Sequence, residues 1–324
     1  MIANAQGVGR TRPSWLSRFW AVVRYEMIWN IRKKKFIGIL IIAFVIATLS
    51  WAVPVIFSST TGQPISSNPD YAITFGAGGS FMFFLFALAT VMNSISSEFE
   101  SGTIVPLLTK PVSRTMVFLG KLFAAFIVIL ATYTILFAYI IIGGIAVYGP
   151  QNNLQLVPLS LLGNVVSTFI WIAILLAMGA LSKSTIVTAL IALGLFLALF
   201  LALPTVAVFT GPSPALNYVP GSGASGTMNI TQGSNVMSMS INAGTDYIGV
   251  NLVNTVLYSS ANVSFTKLNF QFGQNGQVVQ LPPTPLYTEP MSLVALRSLG
   301  VAFVYIFVFL LIAWYALKRA QVLE

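Results

Sequence analysis

The chain has no cysteine and no histidine. Disulfides, thiol nucleophiles and histidine general bases are excluded together, and with them most zinc, haem and iron–sulfur ligation. Charge is nearly as scarce. Only 7% of the 324 residues are Asp, Glu, Lys or Arg, where a soluble domain carries about 25%. So few charges cannot cover the surface of a globule this size. With 56% apolar residues and a mean hydropathy of +0.87, the chain reads as an integral membrane protein whose lipid-facing surface needs no charge.

What is present in quantity is the uncharged run. Phe36–Phe57 is long enough for one helix through about 30 Å of hydrocarbon. Tyr71–Ser97 is a second run. No charge occurs from Leu122 to Ser182, too long for one helix, and Gly149-Pro150-Gln151-Asn152-Asn153 divides it. Two spans are expected there, Thr115–Tyr148 and Pro158–Leu181. A fifth runs from Thr185 to Phe209 and a sixth from Ser298 to Leu317. The expected fold class is an all-α polytopic membrane protein with six transmembrane helices.

The basic residues give the orientation. Arg10, Arg12, Arg18, Arg24, Arg32, Lys33, Lys34 and Lys35 precede the first span; Lys110, Arg114 and Lys121 flank the second connection; Lys183, Lys318 and Arg319 complete the set. In a six-span chain all of these fall on one side, so both termini are expected in the cytoplasm. Lys267 and Arg297 are left for the opposite side. Ser14–Arg32 is amphipathic: Trp15, Leu16, Phe19, Trp20, Val23, Met27 and Ile31 share one face, with Arg18, Arg24 and Arg32 opposite and Glu26 as the exception. Tryptophans opposed to arginines suit a helix lying in the membrane interface; a cytosolic helix packing on a partner is the alternative. The basic residues sit where anionic headgroups lie, so the lipid bilayer is the partner they imply and no nucleic acid is called for.

The domain plan follows: 1–35 a cytoplasmic N-terminus with the interfacial helix, 36–209 spans one to five, 210–292 an extracellular loop domain, and 293–324 the last span and a cytoplasmic C-terminus. The loop domain is rich in Gly, Ser, Asn, Pro and Gln, with alternation over Val263–Phe272 and Val278–Leu281, and is expected to be a small β-rich or irregular cap. Two N-glycosylation acceptor tripeptides begin at Asn229 and Asn262. Within the membrane, Asn164, Ser167, Thr168 and Trp171 share a face of the fourth span and Asn93 ends the second. These are candidates for a translocation path, with helix–helix hydrogen bonding as the competing reading. No metal site is expected.

The segment after the second span holds a different chemistry. Glu98 and Glu100 follow a helix end, Gly102-Thr103 restarts the chain, and Pro106 suits the first turn of a short helix with Leu107 and Leu108 on its surface. Pro111 ends that helix, and Ser113 can cap the next one, where Arg114 follows. This ordered set, Glu-x-Glu-x-Gly-Thr, Leu-Leu, Pro-Val-Ser-Arg and Gly-Lys at 120–121, resembles the signature of ABC transporter permeases of the type-2 exporter family. The interfacial helix, the six spans and the large loop before the last span extend the resemblance over essentially the whole chain. It implies a coupling helix over about 98–114 that docks on a cytosolic ABC ATPase subunit, through Glu98, Glu100, Gly102, Thr103, Leu107, Leu108, Pro111 and Arg114.

The chain lacks the G-x-x-x-x-G-K-[ST] phosphate loop: Thr115 stands where its first glycine would be, and Leu122 where Ser or Thr is needed. The resemblance therefore implies a permease subunit in the cell membrane that is not itself an enzyme and binds no cofactor, with ATP and Mg on the partner ATPase and a second permease chain, identical or related, completing the unit. Two other functions share some of these features. One is an ATPase-coupled scaffold acting mechanically on an external protein. The other is a membrane enzyme with an external site, for which Asp70, Asp246 and Glu289 are the acids at hand.

Overall fold

The computed structural model describes residues 14–75, 79–102, 113–203, 205, 211–232, 235–272 and 278–319. Six helical stretches among them are long and apolar enough to cross a membrane, beginning at residues 34, 81, 114, 154, 185 and 291, the one from 81 counted through a turn.

Helix α1 (Trp15–Arg32) opens on Ser14, whose hydroxyl accepts from the Ser17 N–H, and closes with Arg32 against the carbonyl end of its dipole. One extended residue, Lys33, joins it to α2 (Lys34–Thr61), the first span. The expected apolar face of α1 divides in two: Val23 is buried against protein, whereas Trp15, Leu16, Trp20 and Ile31 remain exposed. Glu26 and Asn30, one and two turns after Val23, are buried beside it.

The second run is not one helix. It is α3 (Tyr71–Phe75), α4 (Ser80–Val91), a turn at 92–95 and α5 (Ser96–Glu100). Asn93 and Ser94 in the turn offer the backbone an alternative to helical bonding, and Ser96 and Ser97 donate their hydroxyls back to the carbonyls of Met92 and Asn93. Helix α6 (Arg114–Tyr148) is capped by Ser113, which accepts from Met116 N–H at 3.1 Å. Helix α7 (Val157–Ser182) is the core of the bundle, packed against α4, α6 and the last span, with Trp171 fully buried among Phe84 and Phe196. Helix α8 (Thr185–Leu197) continues as a π-helical turn, Ala198–Ala202.

The segment before the last span carries a four-stranded antiparallel sheet, β1 (Ser225–Gln232), β2 (Asn235–Asn242), β3 (Asn262–Phe272) and β4 (Val278–Pro290), in the order β2-β1-β3-β4. The alternation over Val263–Phe272 corresponds to β3, and β4 runs well beyond Leu281. Its prolines are tolerated because β4 is an edge strand, where a missing N–H breaks no inner ladder. The β1–β2 hairpin and helix α9 (Ile248–Leu257) were not expected from a Ser/Asn-rich sequence. Helix α9 lies on α7 at a glycine pair: a Cβ added at Gly163 would stand 2.3 Å from Gly249 Cα. The last helix, α10 (Met291–Arg319), starts in the sheet's own core, where Met291 and Val294 pack with Met228, Val263 and Phe265.

Candidate coupling site

At the end of the bundle away from the sheet, three side chains anchor the corner that follows the second span. The Lys121 ammonium, 4% exposed, lies 2.6 Å from Glu26 and 2.7 Å from Glu98. An unpaired ammonium at this depth would cost several kcal/mol, so two carboxylates are its solvation. They come from α1 and α5, and Lys121 itself from α6. The approach of α1 is close because Gly120 faces Val22: an added Cβ would meet the Val22 side chain at 2.7 Å. Beside the triad, Lys33 Nζ donates to Asn30 Oδ1 at 2.8 Å and to Thr90 O at 3.1 Å, and lies 3.6 Å over the Trp29 ring. Burial, aided by the Lys121 and Lys35 charges and opposed by Glu26, lowers its pKa to about 7.

Glu100 does a different job. Its Oε1 accepts from Thr185 N–H at 2.7 Å and from the Ser184 hydroxyl at 3.0 Å, so a remote carboxylate serves the N-terminus of α8, where Ser184 makes no cap bond of its own. Negative charge there also meets the positive end of the helix dipole. Ser96 and Thr185 hydroxyls pair at 3.1 Å alongside. Gly102 stops α5 with φ at +67°, a conformation that favours glycine. Across residues 103–112, Arg114 Nη1 donates to Leu317 O at 3.3 Å and Lys318 O at 3.0 Å, serving the C-terminal carbonyls of α10. Of the expected coupling residues, Glu98, Glu100, Gly102 and Arg114 thus bracket the segment, while Thr103, Leu107, Leu108 and Pro111 lie outside the described residues.

The candidate path residues are placed among packed elements. Ser167 donates to Thr245 O at 2.7 Å, and Thr168 pairs with the Tyr133 hydroxyl at 2.8 Å. Asn164 and Trp171 are buried, with both amide atoms and the indole N–H lacking partners, and Asn93 Oδ1 is in the same condition. The acceptor residues Asn229 and Asn262 are exposed at the sheet, Asn229 accepting from the Ser238 hydroxyl at 2.7 Å. Among the described residues no three Asp or Glu gather in a metal-binding group.

Sequence reasoning left Glu26 and Lys33 out of the site and had Lys121 only in the Gly-Lys pair, not among the contact residues. Their signals were faint but present: Glu26 was the one acid on a face of arginines, and Lys121 the one charge leading into a long uncharged run.

No curated protein matches the sequence. A family model described as ABC-2 family transporter protein matches residues 20–322, from within α1 through the last span. The chain, a multi-pass membrane protein and permease component of an ABC transporter, belongs to that family.

Proposed function

We propose that this chain couples ATP hydrolysis by a separate cytosolic ABC ATPase to export across the membrane, as one of two permease chains in the unit. Both termini, α1 and the corner at 96–121 face the cytoplasm in this reading, and the sheet faces outside; the distribution of basic residues supports it. ATP and Mg belong to the ATPase. The 98–114 segment is its docking point, with Leu107 and Leu108 as bearing surface.

One observation carries the reading. The two flanks of 103–112 are tied together and to three other elements: Glu98 through Lys121 of α6 to α1, Glu100 to the start of α8, and Arg114, the first residue of α6, to the end of α10. A push delivered to that segment reaches three membrane helices and the interfacial helix at once, as rigid-body alternating access requires. The test is co-purification of the full chain with its P-loop ATPase. Leu107→Asp with Leu108→Asp is expected to abolish co-purification while membrane insertion is retained. Undiminished co-purification would place the ATPase elsewhere and overturn the docking assignment.

A further inference from the structure

An apolar groove of about 380 Å³ runs between α6 and α10 on the outside of the bundle. Phe118, Leu119 and Leu122 form one wall and Phe307, Leu311 and Trp314 the other. Its end nearest the chain's C-terminus is closed by a bridge, Trp314 Nε1 donating to Thr115 Oγ1 at 3.2 Å. Directly beyond the bridge stand the cations. Lys318 Nζ lies 5.0 Å over the Trp314 ring, Arg319 lies 4.5 Å over the neighbouring Tyr315 ring, and Arg114 Nη1 donates to the Leu317 and Lys318 carbonyls of α10. Lys318 and Arg319 are exposed.

We infer that this groove binds one acyl chain of an anionic glycerophospholipid, with the phosphate headgroup held by Lys318 and Arg319 beside Arg114. An acyl chain matches walls that offer only carbon. A headgroup just beyond the bridge meets two exposed cations and the indole edge that commonly marks the interface. A second copy of the chain suits the surface less well. A two-fold contact through this groove would set Arg114, Lys318 and Arg319 near their own copies, like charge against like. Nothing in the inference depends on the docking of an ATPase.

Two measurements test it on the full-length chain. The first is native mass spectrometry of wild-type protein from an equimolar mixture of phosphatidylglycerol and phosphatidylcholine. Selective retention of phosphatidylglycerol is expected, and equal retention overturns the inference. The second locates the site by quenching of Trp314 fluorescence, taken as the difference between wild type and Trp314→Phe. Brominated phosphatidylglycerol should quench at a lower mole fraction than brominated phosphatidylcholine. Each of Lys318→Gln and Arg319→Gln should raise the required fraction roughly fivefold, the effect of about one basic residue at an anionic surface. Quenching that is equal for both lipids overturns the inference, as does oxidative cross-linking of Phe307→Cys between two copies of the chain.

Discussion

Lys121 and Lys33 feel each other's charge yet are treated oppositely by their surroundings. Two carboxylates meet Lys121, so its charge is kept, and removing Lys121 itself, which leaves the buried Glu26 carboxylate without its cation, would cost about 3–5 kcal/mol. Lys33 has an amide, a carbonyl and a ring instead, and burial dominates. Its folded pKa near 7 lies below the ordinary 10.5. Between those values the unfolded chain binds the extra proton and the folded chain does not, so stability should rise with pH from about 7 towards 10.5. Melting temperatures of the detergent-solubilised protein across that window measure the slope, and Lys33→Met should flatten it. A slope unchanged in the variant would mean that another group is responsible.

Among elements, the long helices were legible and the short ones were not, for a physical reason. A span must keep some twenty residues apolar, a demand that composition alone reveals, so the bounds of α6 and α7 fall within a residue of the expected Thr115–Tyr148 and Pro158–Leu181. Helix α9 is shorter and takes its place from a partner: it is held where two glycines let backbones touch, and neither glycine announces the other in sequence. The break at 92–95 falls where Asn93 is expected to end the second span, but the short helix α5 beyond it was hidden, because its start depends on Ser96 and Ser97 hydroxyls claiming the carbonyls of the turn. The coupling site was half legible. Glu98, Glu100 and Arg114 stand close in sequence, but Glu26 reaches the same corner from another helix. Gly163→Val should lift α9 from α7, costing about 1–3 kcal/mol by overpacking. Faster proteolysis of the 211–290 segment in folded protein would register it, and unaltered cleavage would show that the contact bears no weight.

For the molecule as a whole, the charges that remain after the bilayer has removed the rest are concentrated where helices end. Arg114 is bonded to backbone carbonyls, so Arg114→Ala should leave the fold in place while loosening the grip on α10. In reconstituted vesicles the expected result is less export for each ATP hydrolysed. A ratio equal to wild type would remove Arg114 from force transmission.

The place where the sheet meets α10 gives that grip a reach. Met291 and Val294 belong at once to the sheet's core and to the first turn of a helix of 29 residues, which spans about 44 Å. No proline interrupts it. Arg114 holds the far end. A rod clamped at one tip and built into a plate at the other has no joint in which a movement can be lost, so whatever tilts the last span at its C-terminal end must swing the strands with it.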